Sequence, residues 1–382
     1  MKIFYLLEYP LEIHGGAQLS TLSTAKELKK KYNIDTFIVT PGYKEIPNLY
    51  DADGVTVLKL ESCHYMFPNP VKSPLGFFKV KKEIEKLITV HNPDIIHSQM
   101  PLSFIYNALI KNKVFKIHTD RGLYSGYSKK SKLIYKVLID KIDKLVTTTF
   151  FNYELWPLNT DIKTCIYNTI SNQFENYDNT KYKLLRKKYN IAPDMITIGF
   201  SGRFTYFKNW PFVLQLIEKL VDNHIDFYLF ISFAINENDT QEVEELRQFK
   251  DKIYRKKPEN ITIFQDLNQK EMSDFYYPLD LFIIPSVFES FGKVAVEAMS
   301  RKCCVLSSNV GGLPEVIGDS SFVLELEENI FYEKILNLIH NRRELEIFKE
   351  KFFNRYLELF TSSKNTKEHF ELYTKILKKN LS

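Results

Sequence analysis

Metal-ligand spacing is missing from this sequence. Its four cysteines are Cys63, Cys165, Cys303 and Cys304, and neither they nor the eight histidines fall into a zinc-binding pattern. Cys303 and Cys304 are neighbours in an apolar run, so free, mostly buried thiols in a reducing cytosol are expected. Long apolar runs are missing too: nothing approaches the roughly 18–20 residues of a membrane span. The opening run Met1–Pro10 already contains Glu8 and Pro10, with Glu12 just beyond, which is not the pattern of a signal peptide. A cytoplasmic chain, touching at most the inner face of a membrane, is therefore expected. Excess charge of one sign is slight, with 52 Lys and Arg against 47 Asp and Glu. That balance, without a concentrated basic stripe, excludes a typical nucleic-acid binder, but it suits anionic ligands. A GxGxxG fingerprint is absent, which disfavours a simple nicotinamide enzyme.

What is present is ordinary globular composition, 44% hydrophobic and 26% charged, with an aromatic surplus of 23 Tyr, 30 Phe and 2 Trp. The 382 residues leave room for two domains, each with its own core. Short apolar runs alternate with segments of helical period. Lys2 to Tyr9 reads as a strand, Ala17 to Tyr32 as a helix and Asp35 to Thr40 as a strand. A helix over Lys79 to Val90 precedes strands at Ile95 to His97 and Val114 to His118. Between about Asn168 and Asp194 the pattern fades, and a second series begins at Met195. Strand-turn-helix alternation predicts doubly wound α/β domains, with ligands outside the carboxyl ends of the strands. The expected division is 1–168, a link over 169–194, a second domain over 195–365 and a C-terminal helix over 366–382 that packs back on the first domain.

Four constellations stand in loops just after expected strands. The run from Pro285 to Met299 holds Glu289 in a loop and Glu297 about two turns into a helix that starts near Gly292. Two carboxylates so placed can each grip a diol, and the helix start offers amides to an anion. On spacing alone, a helix-start carboxylate and a solvent-facing one fit equally well. Gly199 to Trp210 presents Arg203 and Lys208, five apart, a pair able to neutralise a diphosphate. His14-Gly15-Gly16-Ala17-Gln18 offers a close backbone approach to an anion, or a plain turn. Lys116 to Gly122 delivers His118, Asp120 and Arg121 to a strand end, where a lone histidine is more often structural. Asp51-Ala52-Asp53 lies in a turn without strand support, so no metal role is read there.

The segment Pro285 to Met299, with the trailing Gly311-Gly312-Leu313-Pro314-Glu315, closely resembles the signature of the family-4 retaining glycosyltransferases. The resemblance implies the GT-B fold, two Rossmann-like domains facing across a cleft. It implies that Glu289 contacts a donor sugar, that Glu297 holds the nucleotide ribose, and that Phe291, Gly292 and Lys293 lie along the phosphates. Arg203 and Lys208 match the family's pyrophosphate pair, Gly15 and Gly16 its glycine-rich first loop, and His118 its sugar-contacting histidine. Asp120 and Arg121 are then acceptor-side candidates. The implied activity is transfer of a sugar from a nucleoside diphosphate sugar, expected to be UDP-linked, to a glycan, lipid-linked or cell-surface acceptor. The nucleotide sugar is a substrate, and no cofactor or metal is implied. A nucleotide-sugar epimerase and a non-catalytic GT-B subunit remain as alternatives. The sequence departs from the family after the strand Asp226 to Ile231, where Ser232-Phe233-Ala234-Ile235 replaces a glycine-rich turn. The basic aromatic stretch Pro74 to Lys82 reads either as an ordinary amphipathic helix or as a contact with an anionic membrane.

Overall fold

The computed structural model describes residues 1–12, 15–42, 49–235, 239–257 and 259–378. His14, Lys379 and the end of the expected C-terminal helix lie outside them. The chain divides into two compact units, Met1–Ser171 with Thr361–Ser382, and Asn172–Phe360.

The first unit is built on strands β1 (Lys2–Leu6), β2 (Asp35–Gly42), β3 (Leu49–Asp51), β4 (Thr56–His64), β5 (Ile95–Ser98), β6 (Phe115–Asp120), β7 (Lys144–Thr147) and β8 (Lys163–Cys165). Among the described residues they form one sheet in the order β3-β4-β2-β1-β5-β6-β7-β8. Among the described residues only the β3–β4 pairing is antiparallel. Strands such as Lys-Ile-Phe-Tyr-Leu are apolar almost throughout because both faces are covered. One face packs on the helices Pro74–His91, Pro101–Leu109 and Lys129–Leu138 through Phe77, Val80, Phe104, Tyr106 and Tyr135. The other carries Gly16–Tyr32 and the C-terminal helix Ser362–Lys378, joined through Ala25, Leu28, Leu372 and Tyr373. Thr24 donates to Asn365 at 2.8 Å, and the Tyr5 and Tyr373 hydroxyls meet at 2.9 Å. Tyr32 stacks on Phe370 at 3.9 Å.

The second unit is an all-parallel sheet of β9 (Ile196–Arg203), β10 (Phe227–Ala234), β11 (Ile261–Gln265), β12 (Leu281–Ile284), β13 (Cys304–Ser308) and β14 (Val323–Leu324). The order is β11-β10-β9-β12-β13-β14, the doubly wound arrangement of dinucleotide-binding folds. The helix Trp210–Asp222 shows why the connections are helical: Trp210, Val213, Leu216, Ile217 and Leu220 recur at the spacing of one buried face.

The segment read as a link, 169–194, is a correction. From Asn172 it belongs to the second unit, and Asn179–Lys188 is helical. Arg186 on that helix is buried against Asp280 at 3.1 Å and donates to the Ala192 and Met195 carbonyls. The buried Arg301 donates to the carbonyls of Gln173 and Phe174. These buried cations hold a polar sequence that shows little apolar periodicity. The return to the first unit likewise comes at Thr361, earlier than expected.

Candidate functional site

In the second sheet, strand progression reverses between β9 and β12, so the loops leaving their carboxyl ends diverge and open a crevice. Arg203 and Lys208 leave β9, and Glu289 leaves β12. The two loops are tied by a backbone bond from Val287 N–H to the Phe207 carbonyl at 3.0 Å. Lys208 Nζ then meets Glu289 Oε2 at 2.6 Å, with both side chains mostly shielded from solvent. Gly202 makes this reach possible, because a Cβ there would lie 3.0 Å from Lys208 Cγ. Arg203 is exposed, and among the described residues nothing holds its guanidinium.

The helix after Glu289 runs Lys293–Met299, with Gly292 as its N-cap at φ 93°. That left-handed backbone favours glycine, and a Cβ would meet Leu313 Cδ2 at 2.6 Å. The neighbouring Gly312 N–H donates to the Glu289 carbonyl at 3.1 Å, so the Gly311–Glu315 run braces the acidic loop. Glu297 is buried, not solvent-facing. Its Oε2 accepts from the Tyr276 hydroxyl at 3.0 Å. Burial raises the Glu297 carboxyl above its usual range, while Lys293, the Tyr276 hydrogen bond and Lys208 pull it down. Lys208 thus acts electrostatically on both carboxylates. The Phe291 ring is buried, edge-on to Phe360 at 5.8 Å, so it is the backbone of Phe291 that is left for a ligand.

Tyr276 was not singled out in the sequence. It ends the helix Gln269–Tyr276 and is fully buried, and charge patterning gave no hint of it. The exposed rings of Tyr206, Phe207 and Phe288 flank the Lys208–Glu289 pair and were missed as well. Ser232 to Ala234, where a glycine-rich turn was expected, simply continues β10, with Phe233 in the core.

In the first unit the sequence candidates divide differently. Gly15 caps the helix Gly16–Tyr32 without a side chain to do so, leaving its backbone as the helix entry. His118 has no exposed surface. Its Nδ1 lies 3.0 Å from Ser98 Oγ and its Nε2 3.5 Å from the Tyr135 hydroxyl, with Phe104 at 4.9 Å. Burial pulls its value down to about 4, so the ring is neutral. His118 thus packs among residues of its own unit. Asp120 is also interior, accepting from Gly122 N–H, Tyr127, Asn152 and Trp156. With both oxygens engaged it anchors that loop. Arg121 is held by Gln99, Ser20, Thr21 and Asn168, all neutral. Burial lowers its value to about 10. Asp51 accepts from Gly54 N–H, and Asp53 pairs with Lys26.

Two doubly wound units, one carrying basic and acidic groups at its strand reversal, define the GT-B architecture. Comparison with known proteins agrees. The family described as "Glycosyl transferases group 1" matches residues 181–355, and "Glycosyl transferase 4-like" matches residues 13–149. Together the two glycosyltransferase models span most of the chain, which is a glycosyltransferase enzyme. Among its relatives is the capsular polysaccharide biosynthesis glycosyltransferase CapH of Staphylococcus aureus, 24% identical over 89% of this chain and 92% of the relative. The O-antigen biosynthesis glycosyltransferase WclY of Escherichia coli is 22% identical over the full length of both. Similar solved structures include sucrose-phosphate synthase from Thermosynechococcus elongatus, with TM-score 0.84, 14% identity and 99% of each chain covered. HepE from Anabaena, solved with UDP and glucose, has TM-score 0.76 and 16% identity, covering 98% of this chain and all of HepE.

Proposed function

We propose that this enzyme transfers a sugar, with retention at the anomeric carbon, from a UDP-linked donor to a hydroxyl of a growing surface polysaccharide or lipid-linked glycan. The observation that carries the reading is the Lys208–Glu289 pair at the strand reversal, with Arg203 free beside it and Glu297 buried behind it. Arg203 and Lys208 neutralise the diphosphate and stabilise it as it leaves. Glu289 orients the sugar and Glu297 accepts from the ribose diol. The bond from the anomeric carbon to the diphosphate breaks and the acceptor oxygen bonds on the same face. The departing phosphate oxygen takes the acceptor proton, so no enzyme nucleophile is needed. The two cations supply the positive charge that a metal would, and no cofactor enters the scheme. Retention rests on the resemblance of the Glu289–Glu297 segment. The donor base is supported by HepE, solved with UDP. The acceptor class is supported by the capsular and O-antigen relatives.

The test is a thermal-shift and hydrolysis screen against UDP-, GDP-, ADP- and CMP-sugars. A stabilising shift with UDP-sugars that Glu297→Ala abolishes supports the reading. Donor consumed to an epimeric nucleotide sugar without an acceptor turns it toward an epimerase. No shift and no turnover with any donor turns it toward a non-catalytic subunit.

A further inference from the structure

The second unit has a cleft of about 540 Å³ at the end of its sheet opposite the Lys208–Glu289 crevice. Arg301 and Lys302 on its wall stand just before β13, and Lys349 reaches Asp280, just before β12. The other walls are the helix Asn179–Lys188, with Tyr177 before it, and the helix Arg342–Leu359. All of these belong to the second unit. The volume falls in the range of small-molecule sites, roughly 300–1,000 Å³.

The uncommitted groups in this cleft are hydrogen-bond donors. Among the described residues, nothing bonds the Tyr177 and Tyr182 hydroxyls or the Asn179 side-chain amide. Two ammonium groups stand beside them, Lys302 at 5.0 Å over the Tyr177 ring and Lys349 at 5.6 Å over the Tyr182 ring. Arg301 is spent on the protein itself, donating to Ser273 and to the carbonyls of Gln173, Phe174 and Ser300. The tyrosine rings are occupied as well, with Tyr177 stacked on Tyr277 at 5.6 Å. The cleft therefore offers hydroxyls and ammonium groups in place of ring faces.

The acids on the rim hold their lysines loosely. Glu346, paired with Lys349, is 64% exposed, and Glu350, paired with Lys302, is 55% exposed. Ion pairs so open to water contribute little, and a doubly charged anion can replace the rim acids. Asp280 stays, because Arg186 and Thr197 hold it in the interior.

We infer that this cleft binds a phosphorylated small molecule of sugar-phosphate size, its phosphate held by Lys302, Lys349 and the Tyr177 and Tyr182 hydroxyls. A phosphate dianion only accepts, which matches a set of groups that donate, and charge assistance strengthens each bond. The cleft is larger than inorganic phosphate needs, and Asn179 is left for a hydroxyl of the sugar. This site is separate from the donor crevice and does not depend on the proposed transfer reaction.

The experiment is isothermal titration of the full chain with glucose 1-phosphate, inorganic phosphate and glucose. Glucose 1-phosphate is expected to bind about tenfold more tightly than either of the others. Lys302→Gln and Tyr182→Phe each remove one donor to the phosphate and are each expected to weaken binding about tenfold. Both side chains are half-buried at the cleft, so the variants fold, which an unchanged melting temperature verifies. Lys208→Ala should leave this binding as it is. No binding of glucose 1-phosphate, or either cleft variant binding like the parent chain, would overturn the inference. Glucose or inorganic phosphate bound as tightly as glucose 1-phosphate would overturn it too. So would loss of binding in Lys208→Ala, since that places the phosphate in the crevice.

Discussion

Lys208 and Glu289 lie 81 residues apart and meet at 2.6 Å across the strand reversal of the second unit. On the proposed reading, a diphosphate that takes Lys208 as its partner competes with Glu289 for it, which frees a carboxylate to orient a sugar and couples binding to orientation through one ion pair. Lys208→Ala and Glu289→Gln are each expected to cost roughly 2–4 kcal/mol in transition-state binding. The double variant should lose clearly less than the sum of the two. Steady-state kcat/KM for all four proteins checks this, and strict additivity would mean that the pair does not act as a unit.

A pH dependence follows from Glu297. Burial raises its carboxyl above the usual range and the Tyr276 hydroxyl holds it back down. On the proposed reading only the carboxylate form of Glu297 can accept from both ribose hydroxyls, so donor KM should rise as pH falls through that raised value. Tyr276→Phe removes the donor and should move this acid limb to higher pH while leaving kcat at alkaline pH nearly unchanged. A profile of KM against pH for both proteins measures it. An acid limb that stays in place in Tyr276→Phe would show that the hydroxyl does not tune Glu297.

Histidines make the first unit sensitive to acid. His118 and His369 are fully or almost fully buried, and burial lowers both to about 4 from the ordinary 6.5. Their folded values lie below the unfolded ones, so the unfolded chain binds protons more readily in this window. The stabilisation is present above pH 6.5 and is lost as pH falls toward 4, on the order of 3 kcal/mol per histidine. Melting of the parent chain and His118→Asn from neutral to mildly acid pH reads it. The variant should start about 1–3 kcal/mol less stable and lose less on acidification. Its donor KM should match the parent's, which a sugar-contacting histidine would not allow.

Gly292→Ala should fail for a backbone reason. At φ 93° the added methyl is strained wherever it points, and Leu313 stands 2.6 Å away. A cost of about 1–3 kcal/mol is expected, together with loss of donor binding as the acidic loop shifts. Thermal melting and donor titration test the two effects. A variant that binds donor normally would remove this turn from the site.

The alternation of apolar runs with helical periods was enough to indicate two doubly wound units, and β1, β2, β9, β10 and β12 lie where those runs predict. The strands β7 (Lys-Leu-Val-Thr), β8 (Lys-Thr-Cys) and β3 (Leu-Tyr-Asp) were not legible, because none holds the unbroken apolar run that marks β12 (Leu-Phe-Ile-Ile). The helix Asn179–Lys188 was hidden for another reason. It is held by the buried Arg186–Asp280 pair, whose partner is 94 residues away.

For the site, composition and spacing determined which charged residues stand after the strands, Arg203, Lys208 and Glu289 in the loops and Glu297 in the helix that follows. Only tertiary structure decided what each one faces. Pairing of Lys208 with Glu289 depends on β9 and β12 being neighbours. Glu297 depends on a tyrosine from a different helix. His118 and Asp120, which looked alike in sequence as strand-end polar residues, are interior because Ser98, Tyr135, Asn152 and Trp156 converge on them from other elements. A one-dimensional pattern records which residues can ionise. Burial and partners, which set whether they do and whether a ligand can reach them, come from segments far away in the chain.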